Sequence, residues 1–179
     1  MTQKEEMLTV AKSTIIFKTT DEWFKTLVSG VVETFFPDKE MTFSIEIKKR
    51  KGPALGVCCW GNPRHIEINS RYMGNGKILD NGIELAALIA HEIVHVFAKG
   101  CHGLDFQKNA ANIGLCWDEM FTAGHTYPTR EFAERIAPVL EQLEKTGLKV
   151  FPLKEALKEY SDEFILVKSG VNKWMPYYD

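Results

Sequence analysis

The feature that most constrains this chain is an apolar segment, LAALIA, that runs directly into the sequence HEIVH. Apolar residues continue at helical spacing on both sides of this junction, which predicts an α-helix from about Asn81 to Lys99. Asn81 and Glu84 have the spacing of a capping box at its start, and Gly100 supplies a natural stop. Because only a few positions in its second half are polar, we expect this helix to lie at the centre of the fold.

The polar positions of this helix have the spacing of a metal site. His91 and His95 are four residues apart, so their imidazoles lie on one helix face and can reach one ion. Glu92 can reach a water molecule at that ion without being a ligand, which is the general-base arrangement of the HExxH metallopeptidases. The alternative is a buried histidine pair on a structural helix, which would need other polar partners for both rings. We therefore expect Zn²⁺ bound by His91 and His95, with Glu92 as the catalytic base.

A catalytic zinc site needs a third protein ligand and an open position for water. Our first candidate is His102, because the chain can turn back after the helix and its imidazole would complete a set of three histidines. Six residues separate the second motif histidine from His102, one more than in the metzincin motif. Cys101 and Asp105 are the nearest rivals, and Glu131 or Glu134 would serve if a downstream glutamate were the ligand.

Periodicity elsewhere predicts an α+β fold. Helices are expected at residues 19–36, 104–113 and 128–145, and strands at residues 41–48, 54–60 and 65–70. The three short strands would form a small antiparallel or mixed sheet. We expect this sheet to pack against the N-terminal helix and the HExxH helix, with the C-terminal helices closing the far side.

Local signals refine the predicted helices. Thr19 is the expected N-cap of the first helix, with Glu22 closing a capping box, and Pro37 would end that helix. Pro138 should kink or split the last long helix.

Other segments are less determined. The strand at residues 54–60 is expected to be more buried than its neighbours. Residues 15–17 could begin a strand or pack as part of a tail, and the segment after residue 150 mixes a short helix with a candidate strand at residues 164–167.

Length and composition favour one globular unit. The 179 residues, of which 45% are hydrophobic, predict a single domain over residues 1–179 with a core at about 19–146 and a C-terminal extension at 147–179. No apolar run approaches the roughly 20 residues of a membrane span, and the N-terminus lacks the pattern of a secretory signal. Four cysteines without a CxxC pair do not resemble a disulfide framework; they are Cys58, Cys59, Cys101 and Cys116. We therefore expect a cytoplasmic protein with free, mostly buried thiols and no membrane contact.

The charge balance argues against a general nucleic-acid-binding surface. Twenty-two basic and twenty-four acidic residues give a net charge of −2, without the basic excess of such domains. A local basic run, Lys48–Lys51, is typical of a solvated strand end, and its sharper interpretation is a phosphate-binding patch beside the cleft. DNA is therefore a candidate partner on local charge alone.

The remaining histidines carry weaker signals. His65, at a strand start, and His125 are expected to be structural or solvent-exposed. His125 or Tyr127 would stabilise an oxyanion if the segment that contains them lined the cleft.

Three stretches together resemble a known family. IEINSRY, LAALIAHEIVHVF and HGLDF are similar to the SprT-like (Spartan-type) zinc metallopeptidase domain. In that family a strand with a similar ending precedes the HExxH helix, and a His-Gly pair with an aromatic residue three positions later supplies the third ligand and opens the next helix. The matching positions here are His102, Gly103 and Phe106. The resemblance covers roughly residues 24–114, and more loosely the chain to about residue 143.

The resemblance implies a zincin-like fold and a zinc-dependent endopeptidase. His91, His95 and His102 would bind zinc, and Glu92 would activate the water that attacks a peptide carbonyl of a protein substrate. Family members cleave proteins crosslinked to DNA and are stimulated by DNA. This chain differs from many of them in a shorter connection before the third histidine and in lacking a four-cysteine zinc ribbon. The alternatives are a DNA- or protein-binding module that retains the fold with little hydrolysis, and a metal hydrolase that acts on a non-peptide bond.

Overall fold

The computed structural model describes residues 5–99, 101–117, 124–153, 157 and 160. Its strands and helices follow one another in the order β1 (Glu6–Val10), β2 (Ser13–Phe17), α1 (Glu22–Phe35), β3 (Thr42–Lys48), β4 (Gly56–Cys59), β5 (Arg64–Asn69), α2 (Gly82–Phe97), α3 (Leu104–Asn112), β6 (Leu115–Trp117), β7 (Thr126–Pro128) and α4 (Arg130–Lys145). Two short 3₁₀ turns, Ser70–Tyr72 and Ile78–Asp80, lie between β5 and α2. The predicted α+β class is confirmed. The candidate strand at residues 164–167 and the helix stop at Gly100 lie outside the described residues.

The main sheet has five strands in the order β1-β2-β3-β5-β4. Its outer pairs, β1 with β2 and β5 with β4, are antiparallel, whereas β3 runs parallel to both β2 and β5. The sheet is therefore mixed, and the N-terminal segment adds two strands to the three that were predicted. A separate antiparallel pair joins β6 to β7.

The second predicted strand, β4, is at the end of this sheet and is half-buried along its whole length. The expectation that it would be the more buried strand is wrong. An edge strand has a neighbour on one side only, so its other side stays open.

One hydrophobic core joins the sheet to the helices. Ile45 and Ile66, from the adjacent strands β3 and β5, are fully buried, as are Leu27 of α1 and Ile89 of α2. Buried side chains also come from before residue 19 and after residue 146; they include Ile15, Phe17, Phe151 and Tyr160. None of the helices in the described residues is long and apolar enough to cross a membrane.

The start of α1 differs from the prediction. The helix begins at Glu22 with Asp21 as its N-cap residue, and no side chain caps it. The Thr19 hydroxyl instead accepts a hydrogen bond from the backbone N–H of Asp21, so the predicted capping box is wrong. The other end agrees with expectation, because α1 ends just before Pro37.

The start of α2 agrees with the sequence, because the Asn81 side chain accepts hydrogen bonds from the backbone N–H groups of Ile83 and Glu84. Helix α4 runs unbroken through Pro138, so the proline does not split it. Buried residues on both sides of the proline, Ile136 and Leu140, hold both halves of the helix against the same core.

Candidate metal centre

Three imidazoles converge on one point beside the central helix. His91 and His95 project from adjacent turns of α2, and His102 approaches from the short connection before α3. The Nε2 atom of His95 lies 3.3 Å from that of His91 and 3.1 Å from that of His102, and the third side of the triangle is 3.4 Å. Each ring thus presents the same atom to the same small space.

This triangle fits a tetrahedral zinc ion. Two nitrogens at about 2.0–2.1 Å from zinc, separated by the tetrahedral angle, are about 3.3–3.4 Å apart. Three neutral Nε2 atoms that face one another cannot all be satisfied by mutual hydrogen bonds, whereas a shared cation satisfies all three. The predicted set of His91, His95 and His102 is therefore a group that the structure brings together within reach of one ion.

The rival third ligands point elsewhere. The Cys101 thiol is exposed and lies 3.4 Å from the Nδ1 atom of His102, on the side of the ring opposite the triangle. Asp105 accepts the backbone N–H of Lys99 at 2.6 Å. The remaining rivals, Glu131 and Glu134, form ion pairs with arginines of their own helix α4.

Neighbouring groups fix the orientation of the rings. His91 Nδ1 lies 2.8 Å from the Thr126 hydroxyl, so an N–H at Nδ1 can donate there and leave Nε2 free to bind an ion. The Gln107 side chain donates to the backbone carbonyl of His102 at 3.0 Å. Phe106 is fully buried and stacks against His95 with 4.4 Å between ring centroids, and its edge contacts the other two imidazoles. All three imidazoles therefore pack against the ring of Phe106.

Glu92 lies next to this group but outside it. Its side chain is 4% exposed, and the strand β4 passes directly over it at Gly56. A methyl group added at Gly56 would come within 2.9 Å of the Glu92 carboxylate, so a larger residue there would require that side chain to shift. The sequence motif alone did not indicate this contact.

Burial governs the protonation of the site. Burial, with smaller contributions from the neighbouring histidines and, for His95, from Arg64, lowers the pKa of His91 to about 3 and that of His95 to about 4. The rings are therefore neutral, as metal ligands must be. Burial also raises the pKa of Glu92 to about 8, against the opposing effects of Arg50 and the Cys58 backbone. A divalent cation at the neighbouring nitrogens would favour the ionised carboxylate that a general base requires.

An open cavity of about 570 Å³ adjoins the three histidines and Glu92. Residues 53–58, which include the first three residues of β4, form one wall. His125 and Tyr127 also line it, so the segment that contains them reaches the cleft as the oxyanion hypothesis requires; their role in stabilising an oxyanion stays a prediction. At the end of β4, Trp60 and Arg64 contribute to the same lining, although neither was singled out from the sequence.

A second polar cluster, Glu46, His65 and Glu67, lies on the sheet, and its ligand atoms also lie close enough together to hold an ion. His65 contacts the Ser44 hydroxyl with one ring nitrogen and Glu46 with the other, as expected of a structural histidine. Its neighbour Glu67 pairs with Lys48 and Arg50. Two of the four cations of the basic run thus form ion pairs with a glutamate of the sheet.

The four cysteines are free, as predicted. Only Cys116 is buried, since Cys58 and Cys59 are half-buried and Cys101 is exposed, so the expectation of mostly buried thiols is wrong. Burial raises the pKa of the Cys58 thiol to about 12, which leaves it protonated beside the cavity. Its side chain lies on the edge strand β4, where burial is incomplete.

Sequence reasoning missed the residues that support the site from a distance along the chain. Thr126 is 35 positions from His91, and Gly56 is as remote from Glu92.

Comparisons with protein-family models, with curated proteins and with solved structures gave no match.

Proposed function

We propose that this chain is a zinc-dependent endopeptidase with a zincin-like, SprT-like fold. The observation that carries the proposal is the triangle of Nε2 atoms from His91, His95 and His102 beside a buried glutamate at the wall of an open cavity. Three neutral imidazoles as ligands, with an adjacent carboxylate that does not bind the metal, suit a hydrolytic zinc site.

The position of β4 supports a peptide substrate. In the described part of the chain this strand pairs only with β5, so its other edge is open, and the cavity lies along it. An extended peptide could add to such an edge through backbone hydrogen bonds, while alternate side chains enter pockets. This arrangement would place a peptide bond close to Glu92, because Gly56 brings the strand against that side chain.

The residues have separate tasks in the proposed reaction. Zinc held by the three histidines would polarise the substrate carbonyl and lower the pKa of a water molecule beside it. Glu92 would accept a proton from the attacking water and then deliver it to the nitrogen of the breaking peptide bond. Thr126 would keep the His91 ring in the tautomer that presents Nε2. Phe106 would exclude water from behind the rings.

Proteins associated with DNA are the substrate class that the family resemblance suggests. The basic run gives limited support, because Lys48 and Arg50 pair with Glu67 and only Lys49 and Lys51 lack an ion pair among the described residues. DNA is therefore a proposed stimulator to be tested rather than a required part of the activity.

The test compares zinc-loaded wild type with Glu92→Gln and with the control Glu131→Gln, each with and without single-stranded DNA. An unfolded protein substrate should be cleaved by wild type and by the control, whose altered residue is exposed on α4. We expect Glu92→Gln to retain zinc and to lose at least about 100-fold in rate, the usual contribution of a general base.

Three other outcomes would change the proposal. Cleavage by Glu92→Gln at the wild-type rate would exclude the mechanism. Cleavage that does not respond to DNA would retain the peptidase and remove the DNA role. Bound zinc without cleavage under any condition would favour a binding module with the same metal site.

A further inference from the structure

An exposed tryptophan stands at the mouth of the cavity, stacked on an arginine. Trp60 is 80% exposed, although it is the largest side chain near the site. The Arg64 guanidinium lies 3.8 Å from the centre of its ring, which is a close cation–π contact. Tryptophan is enriched at binding surfaces, so an exposed one beside a cleft is a candidate recognition residue.

The register of the sheet explains where this pair points. Strands β4 and β5 pair Cys58 with Ile66 and Cys59 with His65, where the ladder ends, and Trp60 and Arg64 lie just beyond this last pair. Side chains alternate between faces, which places both on the face of Cys58 and Ile66, towards α2. Both residues line the same cavity as His95.

The guanidinium is available to a ligand. Among the described residues no carboxylate forms an ion pair with Arg64, whereas Arg50 and Arg135 each pair with a glutamate. Stacking on an aromatic ring occupies the flat face of a guanidinium and leaves its N–H donors free in the plane. Trp60 thus holds the cation in one orientation beside the cleft.

We propose that Arg64 and Trp60 form a substrate-binding subsite that selects an acidic side chain of the bound peptide. This inference rests on the proposed function, because it assigns the substrate class of the same cleft. A peptide that extends along β4 past its end at Cys59 would meet the Arg64 donors, which match a carboxylate in bidentate geometry. The Trp60 ring would pack against the aliphatic part of that side chain.

The test measures binding without hydrolysis. Random short peptides with amidated C-termini are selected on the immobilised, zinc-loaded Glu92→Gln variant, and the retained peptides are sequenced. We expect Asp and Glu to be enriched roughly fivefold or more at one position, as for a charge-assisted pair that is partly shielded from water. In the same background Arg64→Gln should remove this enrichment, and Arg64→Glu should replace it with enrichment of Lys and Arg.

Two further variants separate recognition from general charge. Arg71→Gln removes an exposed cation that does not line the cavity, and it should leave the enrichment unchanged. Trp60→Phe should retain more of the enrichment than Trp60→Ala, because an aromatic ring still orients the guanidinium.

The proposal fails if no peptide is retained, if acidic residues are not enriched, or if Arg64→Gln selects the same peptides as its parent. Enrichment that appears only with free C-terminal carboxylates would also overturn it, since the chain end and not a side chain would then be bound. Failure of the proposed function gives a different result. Wild type would then cleave no protein, whatever the peptide selection shows about Arg64.

Discussion

At the residue scale the metal centre depends on which nitrogen of each imidazole carries a proton. All three rings present Nε2 to the common point, so Nδ1 must hold the proton in each. For His91 the Thr126 hydroxyl supplies a partner for that proton, at 2.8 Å. Thr126 is therefore a positioning residue, which acts on the ion through His91.

Thr126→Val keeps the shape of the side chain and removes the hydroxyl. We expect its zinc affinity to fall about 10- to 100-fold, the usual effect of losing a partner of a metal-bound histidine. Thr126→Ser, which retains the hydroxyl, should stay within a few-fold of wild type. Competition with a chromophoric chelator measures both affinities. Equal losses in the two variants would indicate packing by the methyl group rather than a hydrogen bond.

Glu67 is a buried carboxylate whose ionised form is stabilised by its neighbours. Burial acts to raise the pKa of this carboxyl, but hydrogen bonds and attraction from Lys48 and Arg50 outweigh it and lower the pKa below its usual 4.5. A lowered pKa in the folded state stabilises the protein above the unfolded-state value, and this contribution is lost as the pH falls through the folded-state pKa. The groups facing this carboxylate also include His65 and Glu46.

Glu67→Gln should accordingly lower the free energy of unfolding at pH 7 by about 1–2 kcal/mol, a modest value because Lys48 is half exposed. The difference from wild type should shrink below pH 4.5. Denaturant unfolding in the presence of a chelator measures it at each pH. Glu141→Gln, at an exposed position of α4, is the matched control and should change little. A difference that did not depend on pH would instead indicate altered packing.

At the element scale the site requires that β4 and α2 pack unusually closely. The contact is made at Gly56, where an added methyl group would lie 2.9 Å from the Glu92 carboxylate and 3.1 Å from a methyl carbon of Leu88. Because β4 is an edge strand, it can respond to an added side chain by moving away from the helix.

Gly56→Ala should therefore displace Glu92 or the strand while leaving the three histidines in place. Because the two closest atoms are the ends of flexible side chains that can move, we expect little destabilisation, but a loss of hydrolysis of at least about tenfold and unchanged zinc content. Gly103→Ala is the control, because a methyl group there meets nothing within 4 Å. Metal analysis and protein cleavage assays on the purified variants give the readouts. Wild-type activity in Gly56→Ala would show that the close approach is not needed for catalysis.

Prediction from sequence succeeded where the signal lay within one short segment. The spacing of His91 and His95 on a helix requires no knowledge of the rest of the fold, and Asn81 caps that helix through neighbouring N–H groups. The start of α1 was misplaced because the helix begins after Asp21 without a side-chain cap, while the Thr19 hydroxyl accepts the backbone N–H of Asp21 instead. Helix boundaries are settled by such small differences.

Contacts between segments that are distant in sequence could not be predicted. Nothing local shows that Gly56 packs on Glu92, or that Trp60 lies against Arg64, since both depend on the pairing of β4 with β5. The edge position of β4 likewise follows from the sheet order and not from its apolar composition. Residues 13–17 could be assigned as a strand only once β3 was known to be their neighbour, and residues 6–10 only once they were known to pair with residues 13–17.

At the scale of the whole molecule, the metal centre joins parts of the chain that are separate in sequence. The ligands come from the middle of α2 and from the connection to α3, and the supporting hydroxyl comes from β7. An ion at this point would link these parts directly. Its binding free energy would then add to the stability of the fold, because the unfolded chain has no preformed site.

Zinc should therefore raise the thermal stability of the whole protein. At a free zinc concentration 100 times the dissociation constant, the gain is about 2.7 kcal/mol, which corresponds to a rise in Tm of roughly 5–10 °C for a chain of this size. Magnesium should have no such effect, because a set of imidazole nitrogens does not suit it. Glu92→Gln should keep the rise and His95→Ala should lose it, since only the second removes a ligand. Calorimetry with buffered metal ions measures these shifts, and an equal rise in His95→Ala would mean that zinc binds elsewhere on the molecule.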